Sequence, residues 1–182
     1  DFVSAIHQKN PNVVTVVQVI NNEKTSMVIP KDSEEIILWG KGYIVDNLCG
    51  LDFRISAKSF YQVNPEMAER LYEIAMNMAR LRPTDTVIDA YCGTGTIGLV
   101  AASRGVKEVI GIESNPDAVK DANLNAEANG ISNARFIVDD ASKWLKSAQK
   151  EGQKCDVLFL DPPRAGSSEE FLAAAGRMEP EV

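Results

Sequence analysis

Cysteine is scarce and scattered in this chain, which has only Cys49, Cys92 and Cys155. None stands in a CxxC spacing, so no metal cluster is expected, and the odd number argues against a disulfide framework. Long hydrophobic runs are missing too: nothing approaches the roughly 20 apolar residues that span a bilayer. The start, Asp1-Phe2-Val3-Ser4, lacks the basic and then apolar pattern of a signal peptide. These absences predict reduced thiols, a cytoplasmic location and no membrane partner. There is also no internal repeat and no low-complexity segment. What is present, 182 residues of which 45% are hydrophobic and 25% charged, provides for one well-buried domain and a smaller attached piece.

Basic charge is in deficit, with a net charge of -7. That balance ordinarily speaks against a nucleic-acid partner, because phosphate contacts need clustered Lys and Arg. The deficit is uneven, however. Residues 1–82 carry nine basic and ten acidic side chains, whereas residues 83–182 carry ten and sixteen. Within the first part, Phe53 to Asn64 holds Arg54 and Lys58, no acid, and the aromatics Phe53, Phe60 and Tyr61. Cations interleaved with aromatics make it the best local candidate for meeting RNA. The plainer reading of the same stretch is a strand and turn with two exposed bases.

The β-branched run Val13 to Ile20, then Ser26 to Ile29, Ile36 to Trp39, Tyr43 to Val45 and Phe53 to Ser56, reads as short strands separated by polar turns. This predicts a small antiparallel β subdomain over residues 1–63. From Pro65 the period becomes helical at Met67, Leu71, Ile74, Ala75 and Met78, with Asn64 as N-cap and proline at the first helical position. A connecting helix is expected within residues 64–82. Beyond it, strands at Thr86 to Ala90, Glu108 to Glu113, Ala134 to Val138 and Asp156 to Leu160 alternate with helices. The helices are expected near Thr96 to Ser103, Asn115 to Asn129, Ala141 to Gln149 and Ser168 to Arg177. Regular alternation implies a Rossmann-like α/β core over residues 83–182, with a parallel, doubly wound sheet.

Three segments of that core carry chemistry. In Asp89-Ala90-Tyr91-Cys92-Gly93-Thr94-Gly95-Thr96, a buried strand delivers an acid into a glycine loop that opens a helix. Gly93 and Gly95 let backbone turn against a ligand, with Thr96 at the helix start. Such a loop suits a dinucleotide equally well; Asp89 discriminates, because it repels a pyrophosphate and attracts a cationic ammonium and sulfonium ligand. The second segment ends in Glu113, close to the offset of a ribose-binding carboxylate, and Asp140 after the next strand is the candidate acceptor for an adenine amine. Glu113 has an alternative role as a helix N-terminal charge, and Asp140 as an N-cap. The third segment, Leu160-Asp161-Pro162-Pro163-Arg164, presents Asp161 rigidly at the carboxyl end of the sheet, where it can read the edge of a planar base. Arg164 is a candidate phosphate partner.

Phe60-Tyr61-Gln62-Val63-Asn64-Pro65, Asp89 to Gly95, Gly111-Ile112-Glu113 and Leu160-Asp161-Pro162-Pro163-Arg164-Ala165-Gly166 together resemble the RNA (uracil-5-)-methyltransferase family, over nearly the whole chain. The resemblance implies S-adenosylmethionine as cofactor and RNA as partner, with rRNA ahead of tRNA. It assigns Gln62, Tyr91, Glu113 and Asp161 to cofactor contacts, and places Phe60 and Gln62 near a flipped uracil. The implied reaction is methylation of uracil C5, in which a cysteine thiolate adds to C6 and a carboxylate later removes the C5 proton. That cysteine belongs to a Ser-Cys-Asn-Pro segment expected beyond Val182, as does the general-base glutamate, so the chain is expected to bind cofactor without methylating C5. An oligonucleotide-binding β-barrel is expected to precede Asp1. The competing readings are an amino-methylating base methyltransferase, weakened by Arg164 where an aromatic would stand, and a nucleic-acid-binding module without chemistry.

Overall fold

The computed structural model describes residues 2–22, 33–164 and 166–182. It opens with a helix that sequence periodicity did not reveal, α1 (Phe2–Lys9), whose His7 packs on Trp39 with ring centroids 4.6 Å apart. Strands β1 (Thr15–Ile20) and β2 (Glu34–Gly40) pair antiparallel. The strand expected over Ser26 to Ile29 lies outside the described residues. Strands β3 (Tyr43–Leu48) and β4 (Leu51–Ser56) form a second antiparallel pair. They meet in a two-residue turn, where Cys49 and Gly50 have φ of 54° and 78°, the backbone that a tight hairpin of twisted strands demands.

Helix α2 (Pro65–Ala79) begins as expected, the Asn64 side chain accepting from the Met67 N–H. Strands β5 (Thr86–Ala90), β6 (Glu108–Glu113), β7 (Ala134–Val138) and β8 (Val157–Leu160) then form one parallel sheet in the order β7-β6-β5-β8. Helices α3 (Thr96–Ser103) and α4 (Pro116–Ala128) lie on one face, and α5 (Ala141–Lys150) and α6 (Glu169–Met178) on the other. The predicted doubly wound α/β architecture is thus present, together with the small antiparallel sheets.

Strand alternation decides what faces the site. On β5, Val87 points into the α3 side and Ile88 and Ala90 into the α5–α6 side, all buried. Two-residue periodicity therefore sends Asp89 toward α3. Leu48 and Phe53 of the β3–β4 hairpin are fully buried in the same apolar cluster as Val87, Leu99 and Tyr72, so the hairpin is fixed against the helical side of the core. Glu181 and Val182 lie parallel to β8, with Leu158 donating to the Val182 carbonyl at 2.9 Å.

Candidate active site

At the carboxyl ends of β5 and β8 a crevice is lined by Phe60, Gln62, Tyr72, Asp89, Tyr91, the loop Cys92 to Thr94, Thr96 and Asp161. Seven residues singled out from sequence therefore meet in one place: Phe60, Gln62, Asp89, Tyr91, Gly93, Thr96 and Asp161. The crevice is narrow and partly open to solvent, with a free volume of about 30 Å³.

Asp89 dominates the electrostatics. It is 1% exposed, and its Oδ2 accepts from the Gly98 N–H at 2.8 Å. Oδ1 is buried with no hydrogen-bond partner. Burial, with smaller repulsion from Asp161 and Glu113, pushes the carboxyl up to about 7 despite the Gly98 bond. A half-satisfied buried carboxylate is costly unless a cation or donor arrives. Thr94 Oγ1, on another lining residue, is likewise buried with no partner among the described residues.

The loop is wound tightly enough to strain a non-glycine residue. Tyr91 has φ of 65°, a left-handed backbone costing about 1–2 kcal/mol. Its place is held by the Cys92 N–H on the Ile112 carbonyl at 3.0 Å and by packing of the Tyr91 ring on Phe171, centroids 5.5 Å apart. Tyr72, which no sequence pattern marked, reaches in from α2 and shares a 2.9 Å hydrogen bond with Thr96 Oγ1. Burial raises its phenol above the ordinary range. It lies on the buried face of α2 with Ala68, Met76 and Ala79, whereas the apolar row read from sequence, Met67, Leu71, Ile74 and Met78, is exposed.

Glu113 sits at the end of β6, beside the loop rather than within the enclosed crevice. Its Oε1 accepts from the Asn115 N–H at 2.8 Å and the Ser114 hydroxyl at 3.1 Å; its Oε2 accepts from the Gly93 N–H at 3.3 Å. Three donors leave about one of roughly four lone-pair positions free. Two ribose hydroxyls are accommodated only if the long Gly93 bond yields.

Three of the residues assigned from sequence have partners within the protein. Asp140 caps α5: its Oδ1 accepts from the Lys143 N–H at 3.0 Å, and it is exposed and not among the residues that line the crevice. The capping geometry accounts for this residue, so nothing in the structure marks it as an adenine contact. Arg54 is not free for phosphate, because its Nε donates to Asp121 at 3.0 Å while its guanidinium lies 3.7 Å over the Tyr43 ring. Lys58 likewise turns back toward α4, with Nζ 3.8 Å from Asp117 and a side chain only 17% exposed. Both bases answer acids more than fifty residues further along the chain, which no local pattern reveals. Arg164, the candidate phosphate partner, is exposed. Replacing Arg54 with Ala should cost about 1–3 kcal/mol in denaturant unfolding, through the partly buried pair and the ring contact, and leave affinity for a short oligonucleotide unchanged. A fall in that affinity at full stability would return Arg54 to the RNA surface.

Among solved structures, the tRNA (uracil-54, C5)-methyltransferase of Pyrococcus abyssi, in complex with S-adenosyl-L-homocysteine, superimposes with a TM-score of 0.74 at 28% identity. The match covers 96% of this chain and 41% of that one. A SAM-dependent methyltransferase of Agrobacterium tumefaciens matches with a TM-score of 0.61 at 21% identity, covering 86% of this chain and 49% of that one. The fold is therefore the Rossmann-like fold of S-adenosylmethionine-dependent methyltransferases. The family described as Conserved hypothetical protein 95 matches residues 58–178, and the chain belongs to it. Its curated relatives include an uncharacterized RNA methyltransferase of Lactiplantibacillus plantarum, 46% identical over 93% of this chain and 36% of the relative. Another, from Halalkalibacterium halodurans, is 41% identical over 99% of this chain and 39% of the relative. The chain thus spans less than two fifths of the length of these relatives.

Proposed function

We propose that this chain is the S-adenosylmethionine-binding core of an RNA methyltransferase that acts on C5 of a uridine, in rRNA ahead of tRNA. The observation that carries the proposal is the convergence of Phe60 and Gln62 with Asp89, Tyr91, the glycine loop and Asp161 in one crevice. The first 63 residues then serve the acceptor side, residues 64–82 connect, and residues 83–182 hold the cofactor. The names and folds of the relatives support an RNA methyltransferase; the choice of uracil C5 rests on the segments Phe60 to Pro65 and Leu160 to Gly166.

The residues present fit a cationic nucleoside cofactor. Asp89 Oδ1 is a buried acceptor with no partner among the described residues, and a Cβ on Gly93 would meet no described atom within 4 Å, so the loop leaves open space on its ligand side. Asp161, after β8, and Glu113, at the end of β6, flank the β5 loop and would hold the cofactor there. When bound, the cofactor supplies an electrophilic methyl on a sulfonium. Asp89 and Asp161 set a negative field that favours that charge, Glu113 accepts from the ribose, and Gln62 and Asp161 offer polar edges to a planar base.

No thiol in the chain is equipped to add to uracil C6. Burial pushes Cys92 well above its ordinary range and Cys155 up to about 12, and Cys49 is raised by burial and by Glu69. A thiol held protonated is a poor nucleophile. The chain alone should therefore bind S-adenosylmethionine in calorimetry yet transfer no labelled methyl to uracil C5 in RNA. Absence of binding by folded protein sinks the proposal, and methyl incorporation at C5 sinks the reading of the thiols. Glu113→Ala should weaken cofactor binding by about 1–3 kcal/mol, the worth of charge-assisted bonds to the ribose. An unchanged affinity would reduce Glu113 to its turn at the head of α4.

A further inference from the structure

Helix α4 fastens the β3–β4 hairpin through three side chains at helical spacing. Asn129 accepts from the Asp52 N–H at 2.9 Å and donates to the Asp52 carbonyl at 2.8 Å. One turn earlier, Asn125 repeats the pattern on Arg54, accepting from its N–H at 2.7 Å and donating to its carbonyl at 3.4 Å. A turn earlier again, Asp121 takes the Arg54 guanidinium and the Ser59 hydroxyl, both at 3.0 Å. Four helical residues advance about 6 Å and two strand residues about 6.6 Å. The two repeats therefore stay in step, and primary amides satisfy backbone groups that a third strand would otherwise pair.

Asn125 differs from its neighbours in one respect. It is 0% exposed, and its Nδ2 also donates to the carbonyl of Thr94, in the glycine loop, at 3.2 Å. One amide thus grips both the loop of the proposed methyl-donor site and the strand leading into Ser56 to Gln62. That same segment is secured at Ser59 by Asp121 and at the Lys58 carbonyl by Asn115, at 3.3 Å. We infer that Asn125 is a positioning residue coupling the donor loop to the acceptor-side segment, so that ordering of the loop by a ligand is transmitted to residues 51–62. This rests on reading the crevice as a methyl-donor site.

The test uses S-adenosylhomocysteine as probe and hydrogen–deuterium exchange of residues 51–62 as readout. In the wild-type chain, saturating probe should slow exchange in this segment by about tenfold, because local opening then has to break the ordered loop's bond as well. Asn129→Ala, which removes two hairpin bonds without touching the loop, should speed exchange in both states and keep the ratio between them. Asn125→Asp preserves the acceptor for the Arg54 N–H and removes the donors to the Thr94 and Arg54 carbonyls, so the ratio should fall to one at saturating probe. A merely structural role for Asn125 would change absolute rates and leave the ratio intact, which overturns the inference. The wild-type measurement stands by itself should Asn125→Asp fail to fold. Calorimetric binding without slowed exchange in residues 51–62 overturns the coupling alone, and absence of binding overturns the reading of the site and the coupling with it.

Discussion

Lowering the pH from 8 to 6 should weaken S-adenosylmethionine binding by this chain about tenfold, with a further factor of ten for each unit below that. The cause is Asp89, whose carboxyl burial raises to about 7. A cationic ligand is attracted by the ionised form, so below pH 7 a proton must first leave. Stability of the unliganded chain runs in the opposite direction. The folded carboxyl keeps its proton up to about pH 7, while the unfolded one releases it near 3.9. The folded state therefore binds more protons between those values, and stability falls as pH rises from about 4 to 7 and is level above, by about 4 kcal/mol at most. Asp89→Asn should remove both slopes, gaining stability at pH 8 and losing most of the affinity. Calorimetry across the pH range checks the binding arm and urea unfolding the stability arm. A flat binding profile between pH 6 and 8 would show that Asp89 does not face the ligand's charge.

Gly95→Ala should cost about 2–5 kcal/mol of stability. Gly95 caps α3 with φ of 80°, a backbone that costs an alanine about 1–2 kcal/mol. The added Cβ would also stand 2.8 Å from the Phe136 ring and 3.1 Å from Ala122, and overfilling a packed core adds about 1–3 kcal/mol. Gly130→Ala is the matched control: φ is 64°, but its Cβ would meet nothing within 4 Å, so only the backbone cost of about 1–2 kcal/mol applies. Equal losses in the two variants, measured by denaturant unfolding, would mean that α3 and Phe136 move aside without penalty. The comparison separates the turn a glycine permits from the close approach it permits, because Gly95 supplies both.

The parallel core was legible because each strand and helix carries its own local signal. The boundaries of β5, β6, β7 and α3 fall where alternation and the glycine loop put them. Asn115 and Ser168 cap their helices through their side chains, as their residue types favour. The β3–β4 hairpin was only partly legible, since Cys49 is an unusual residue for a left-handed turn and hid the continuity of the two strands. Helix α1 escaped because its packing partner, Trp39, is distant in sequence. In the site, acids on strand ends were readable from position alone, whereas Tyr72 and Asn125 act through contacts 24 to 71 residues away. Arg54 and Lys58 looked like free cations for the same reason: Asp121 and Asp117 neutralise them only after α4 has docked.

The amide ladder on α4 has a bearing on how the molecule behaves among its own copies. A two-stranded ribbon ordinarily presents open N–H and C=O groups that can recruit a strand from another chain and so seed fibrous association. Along β4 those groups at Asp52 and Arg54 already bond to Asn129 and Asn125. Side-chain amides on a helix terminate hydrogen bonding where a strand would extend it. The contact that holds the hairpin in place therefore also makes that edge a poor template for growth.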